Sequence, residues 1–335
     1  MRKLLCCFLA LTLVMVSGCG IMDWIFPDDK IDPEENGEDY VELPETENEG
    51  ETSLEDGRIL YVADMLGNFC LPVTYDIPFE EGIAKAVVRH LVEGGPAQEY
   101  LSTNGFKAVL PAGTDILGMK VDEGNCIVDF SEEFLQTADE VHERLMLEAL
   151  TYTLTEFPNI DSVTIWVNGF PLTEMPHGTI VDPKLTRDGG INSTSSAKGT
   201  GAAVTVYMRL DSMGSRLLVP VTRPVASAIN PVESALEQLI GGPSGDSNLS
   251  GALPAGTRVQ DLTANEGTAQ VDFSSELATA DDMDVAVAAV VLTLTELPSI
   301  DSVVMTIDGE PVTLSDGSVL AEPVLRPSSA NPLAF

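Results

Sequence analysis

Apolar and polar positions alternate along this chain at two periods, and the order in which the periods change occurs twice. Ile59-Leu60-Tyr61-Val62 and Phe69-Cys70-Leu71-Pro72-Val73 flank the polar stretch Asp64 to Asn68, which predicts two strands around a turn. Val204-Thr205-Val206-Tyr207-Met208 and Leu217-Leu218-Val219-Pro220-Val221 repeat the pattern. Ile83, Val87 and Leu91 then recur at four-residue steps, as do Val232, Leu236 and Ile240, each predicting a helix with one apolar stripe. The second of these helices has marked ends. Asn230 can cap free amides, Pro231 suits the first helical position, Glu233 completes a capping pair, and Gly241-Gly242-Pro243 is a stop.

The strand period returns where Cys126, Val128 and Phe130 alternate with Ile127 and Asp129, and where Ala269, Val271 and Phe273 keep the same apolar face. Longer helices are predicted from about Asp139 to Glu156 and from about Asp282 to Glu296, halted by Pro158 and Pro298. Final strands, Val163 to Val167 and Val303 to Ile307, run into Asn168-Gly169 and Asp308-Gly309, residues that favour a tight hairpin turn. Each half reads strand, strand, helix, strand, strand, helix, strand. The predicted fold class is α+β: two tandem ββαββαβ-like domains, each with two helices packed on one face of a mixed sheet.

Five motifs recur in order and in register. Gly94-Gly95-Pro96, Leu110-Pro111-Ala112-Gly113-Thr114, Val128-Asp129-Phe130-Ser131, Leu154-Thr155-Glu156-Phe157-Pro158 and Ile160-Asp161-Ser162-Val163 return as Gly241-Gly242-Pro243, Leu253-Pro254-Ala255-Gly256-Thr257, Val271-Asp272-Phe273-Ser274, Leu294-Thr295-Glu296-Leu297-Pro298 and Ile300-Asp301-Ser302-Val303. A period of domain size marks a tandem duplication rather than a solenoid.

The start of the chain adds an address. Arg2 and Lys3 precede an apolar run, Leu4 to Val16, too short to span a bilayer comfortably, and Val16-Ser17-Gly18-Cys19 resembles a bacterial lipobox. That resemblance implies a lipoprotein signal peptide over residues 1–18 and lipidation of Cys19, and two or more acyl chains would hold the protein stably on a membrane. Residues 19–56 are expected to be a disordered acidic tether, because from Asp28 to Asp56 fourteen carboxylates face one lysine, Lys30. The formal net charge of −36 argues against a nucleic-acid partner. Domains are expected at 57–182 and 202–326, with a Gly/Ser-rich linker at 183–201 and a frayed tail at 327–335. Of the cysteines, only Cys70 and Cys126 remain in the body, and their pairing stays open.

Leu217-Leu218-Val219-Pro220-Val221-Thr222-Arg223, the Gly-Gly-Pro after the first helix, the Leu-Pro-Ala-Gly-Thr turn, Val-Asp-Phe-Ser and Thr-Leu-Thr-Glu before proline together resemble the GerMN-domain family over about four fifths of the chain. The resemblance implies a fold similar to ring-building motifs of secretion machines. It also implies a role in spore formation or germination, with protein partners in an envelope-spanning complex, and self-association among the expectations. The location it implies is the extracytoplasmic face of the plasma membrane, in a sporulating cell the space between mother cell and forespore. The first copy departs from the pattern: Leu71-Pro72-Val73-Thr74-Tyr75 lacks the arginine, and its loop after Gly95 is longer.

Candidate chemistry is thin, and the expectation is a chain that is no enzyme, with no catalytic, cofactor-binding or metal-ligating residues. His90, His142 and His177 fall in different elements of the first copy, and the second copy has no histidine, so an imidazole-dependent hydrolase would occupy one half alone. Asp281-Asp282-Met283-Asp284 lacks the ligand alternation of a calcium loop and suits a helix amino end. The recurring acids Asp129/Asp272 and Glu156/Glu296 motivate a second reading, a cell-wall glycan-binding protein or peptidoglycan hydrolase. The competing reading gives them structural work: turn caps for the aspartates, a fixed hydrogen bond for the glutamates.

Overall fold

A computed structural model describes residues 57–78, 82–193, 202–225, 230–245, 248–327, 329 and 331–332. The expected signal peptide, Cys19 and the acidic tether lie outside the described residues.

The first copy comprises β1 (Arg58–Asp64), β2 (Cys70–Tyr75), α1 (Ile83–His90), α2 (Gln98–Thr103), β3 (Phe106–Lys107), β4 (Ile116–Asp122), β5 (Asn125–Phe130), α3 (Glu140–Leu154), β6 (Ser162–Val167) and β7 (Phe170–Pro171). The second comprises β8 (Ala203–Ser212), β9 (Ser215–Pro224), α4 (Pro231–Ile240), β10 (Val259–Asn265), β11 (Thr268–Phe273), α5 (Met283–Leu294), β12 (Ser302–Ile307), β13 (Glu310–Pro311) and β14 (Val324–Leu325). The architecture is α+β in tandem, as the periodicity predicts. Each copy divides its strands between an antiparallel ladder, β2-β1-β3 or β8-β9, and a mixed sheet, β4-β5-β6-β7 or β10-β11-β12-β13 with β14 on β12. The pairs β5/β6 and β11/β12 run parallel because α3 and α5 carry the crossovers. No described helix is long and apolar enough to cross a membrane.

The repeated motifs turn out to be joints. In both Pro-Ala-Gly-Thr turns the threonine hydroxyl donates to the proline carbonyl at 2.8 Å, Thr114 to Pro111 and Thr257 to Pro254. The serine of Val-Asp-Phe-Ser then fixes where the next strand starts, since Ser131 Oγ accepts from the Asp115 amide and Ser274 Oγ from the Arg258 amide, each at 3.0 Å. Gly124 and Gly267 take positive φ in the hairpins before β5 and β11, and their carbonyls accept from the Asp161 and Asp301 amides of the Ile-Asp-Ser-Val motif. A φ of 77° or 78° at these positions favours glycine, and a Cβ there would also displace the Asp161 or Asp301 carboxylate, 2.3 or 2.4 Å away.

Helix boundaries follow the sequence signals. The Asp139, Asn230 and Asp282 side chains accept from the amides of His142, Glu233 and Val285 and cap α3, α4 and α5. From Val285 to Leu294 every residue of α5 is buried, which matches a helix apolar on all faces. Tyr207, Met208, Leu217, Leu218 and Val219 are core residues, each at most 4 % exposed.

Candidate functional site

Buried polar side chains bond across the place where the two copies meet. β2 and β9 are edge strands whose neighbours lie on one side only. Pro72 and Pro220 remove an amide from each, which suits an edge and blocks a regular ladder between them. Two asparagines bridge them. Asn192 Oδ1 accepts from the Cys70 amide at 2.8 Å, while its Nδ2 donates to the carbonyls of Cys70 at 2.5 Å and Pro220 at 2.7 Å. Asn331 mirrors this: its Oδ1 accepts from the Leu218 amide at 3.0 Å, and its Nδ2 donates to Leu218 and Pro72 carbonyls at 2.9 and 2.8 Å. Cys70 and Leu218 are equivalent positions, as are Pro72 and Pro220, so the junction has pseudo-two-fold symmetry.

Five residues before each asparagine stands an arginine that serves its own copy. Arg187 donates to Glu156 at 2.5 Å and to Thr155 Oγ1 at 2.8 Å, and Tyr61 Oη donates to Glu156 at 3.3 Å. Arg326 donates to Glu296 at 2.5 Å and to Thr295 Oγ1 at 3.2 Å, and Tyr207 Oη donates to Glu296 at 2.8 Å. Thr153 and Thr293 accept from the backbone amides of Tyr61 and Tyr207, tying α3 to β1 and α5 to β8. Both tyrosines are fully buried. Burial above all, with the Glu156 charge adding to it and Arg187 opposing, pushes the Tyr61 phenol well above its ordinary value. Burial and Glu296 do the same to Tyr207, with Arg326 opposing.

This corrects two expectations. In the presumed flexible linker Ile191 and Asn192 are buried and Arg187 is ion-paired, and Asn331 of the presumed frayed tail is 2 % exposed. Composition misleads here because Gly189 and Gly190 turn the chain between an arginine and an asparagine that do the bonding. The recoverable signal is an Arg-x4-Asn spacing, Arg187 to Asn192 and Arg326 to Asn331, that recurs with the duplication.

The recurring acids take structural roles. Asp129 Oδ1 accepts from the Gly169 amide at 3.0 Å and Asp272 Oδ1 from the Gly309 amide at 2.9 Å, so each aspartate caps a hairpin turn, and neither sits near Glu156 or Glu296 in the bonding network. The histidines stay separate: His90 bonds the Ala86 carbonyl, His177 the Thr137 carbonyl, and His142 accepts from the Ala138 amide while facing the Val109 carbonyl, which fixes its proton on Nε2. Asp281 and Asp282 pair with Arg209 and Arg216. Among the described residues no group of three His, Cys, Asp or Glu side chains is placed to hold a metal ion. Cys70 and Cys126 are buried free thiols, and burial pushes Cys126 up to about 12.

A family model described as Germane, sporulation and spore germination, matches residues 59–173 and 205–313. The chain is 32% identical to the spore germination protein GerM of Bacillus subtilis (strain 168) over 352 residues, which cover 96% of this chain and 95% of that protein. It is also similar to the solved structure of the tandem GerMN domains of the sporulation protein GerM from Bacillus subtilis, with a TM-score of 0.72 and 32% identity over 82% of this chain and 99% of that one. With both halves matched, in the order and spacing of the internal repeats, this chain belongs to the Germane (GerMN) family.

Proposed function

We propose that the chain is a non-enzymatic, membrane-anchored lipoprotein that acts as an assembly or docking module in spore formation or germination. Cys19 carries the lipid, and the acidic tether holds the paired domains away from the extracytoplasmic face of the membrane. One observation carries the docking reading. The recurrent acids of the second reading are engaged in holding the fold, Asp129 and Asp272 by turn amides and Glu156 and Glu296 by an arginine and a tyrosine each, and the threonines and serines of the Pro-Ala-Gly-Thr and Val-Asp-Phe-Ser motifs bond backbone groups. A duplicated framework of this kind leaves the outside of the molecule as the part free to act. The similarity to a sporulation and germination protein over both lengths supports the setting.

Deleting the gene and scoring heat-resistant, germinating spores tests it. Spore yield or germination should fall, wild-type protein should restore it, and Cys19→Ala should restore it poorly. Normal spores after deletion would overturn the setting. Release of peptidoglycan fragments by the purified protein, lost on replacing Glu156 and Glu296, would overturn the non-enzymatic reading.

A further inference from the structure

The two copies differ at one matched place, and the difference leaves a cavity. Register aligns them there: Ala63 pairs with Lys107 in the first copy, and its equivalent, Arg209, pairs with Ser250 in the second. Thr74 therefore corresponds to Thr222, Tyr75 to Arg223, and Phe106 to Leu249. In the first copy, nine residues separate Pro96 from Phe106 and include the six of α2; in the second, five separate Pro243 from Leu249. From α2, Tyr100 lays its ring edge-on to Tyr75, with centroids 5.1 Å apart, and donates its hydroxyl to the Thr74 carbonyl at 3.3 Å. Tyr75 in turn packs on His90 at 5.3 Å.

The second copy's shorter segment, 244–248, holds no tyrosine. A cavity of 270 Å³ stands at the matching place, lined by Phe69, Thr222, Arg223, Gln238, Pro243 and Leu249 among others. Arg223 replaces the aromatic wall. Its Nη1 donates to the Gln238 and Gly242 carbonyls at 3.2 and 2.7 Å, closing the end of α4. Burial lowers the Arg223 pKa, the sign of a guanidinium held partly out of water. The volume falls below the ~300–1,000 Å³ of small-molecule sites and suits one inserted side chain.

We propose that this cavity receives a tyrosine presented on a short helical turn of a partner protein, as α2 presents Tyr100 to the first copy. The ring would lie against the Arg223 guanidinium, a cation–π contact in place of the ring-on-ring contact with Tyr75. Its hydroxyl would donate to the Thr222 carbonyl, the equivalent of Thr74. The inference rests on the docking reading above, but its test does not involve spores.

The probe is a synthetic peptide of the chain's own turn, Pro96 to Gly105, titrated into the lipid-free mature chain (residues 19–335 with Cys19→Ser) and followed by amide chemical shifts. Saturable shifts should centre on Thr222, Arg223, Gln238 and Leu249. A Tyr100→Ala peptide should bind at least tenfold more weakly. Leu249→Trp, which fills the cavity from within and leaves the Arg223 bonds to α4 in place, should abolish binding. Equal affinity of the two peptides, binding that survives Leu249→Trp, or no binding up to the peptide's solubility limit would overturn the proposal.

Discussion

Asn192 and Asn331 show how much of a two-domain arrangement can rest on single side chains. Each satisfies one amide and two carbonyls on strands from different copies. Replacement by alanine strands those groups in a buried place, at about 1–3 kcal/mol for each group that water does not reach. Asn192→Ala and Asn331→Ala should each lower stability by about 3 kcal/mol in urea unfolding, and Asn192→Asp should be as damaging because the carboxylate has no hydrogens to donate. A loss below ~0.5 kcal/mol would deny the bridge its role.

The buried phenols set a second expectation at the same scale. Folding raises the pKa of Tyr61, Tyr152 and Tyr207, burial being the main cause. A group whose folded value is raised contributes stability that is complete below its unfolded value, about 10 for tyrosine, and lost as pH rises beyond it. The protein should therefore lose stability above about pH 10, and phenolate absorbance from these three rings should appear together with loss of circular dichroism. Complete phenol titration near pH 10 with the fold intact would contradict this.

Elements were the most legible scale. Periodicity and caps located both long helices to within about two residues, since Asp139 and Asp282 cap where the acids enter and the chain stops short of each proline. The extra helix α2 escaped because its six residues hold one buried apolar side chain, Leu101, too little for a stripe. The β7 and β13 turns were legible from Asn-Gly and Asp-Gly, but the reason for the nearby aspartates was not, since Asp129 and Gly169 lie 40 residues apart. Asp129→Ala and Asp272→Ala should cost about 1–2 kcal/mol by loss of a turn cap while leaving sporulation intact at permissive temperature. A thermal melt and a spore count on the same strains check both halves. Lost sporulation with unchanged melting would point to chemistry at these acids.

On the scale of the whole molecule, the duplication has produced two copies that complete one another. Each Arg-x4-Asn segment closes its own copy with the arginine and grips the neighbour with the asparagine, so the chain between Arg187 and Asn192 belongs to both. The sequence shows the repeat plainly, yet the junction is invisible to composition, because the residues that make it look like linker and tail. The same duplication exposes the difference beside Arg223, where one copy fills a place with its own tyrosine and, among the described residues, the other has a cavity. Independent domains on a flexible linker would unfold separately, whereas copies joined through a buried junction unfold together. Calorimetry of the lipid-free mature chain measures this directly. The account predicts one transition with matching calorimetric and van't Hoff enthalpies, split into two by Asn192→Ala with Asn331→Ala; two transitions in the unsubstituted protein would contradict it.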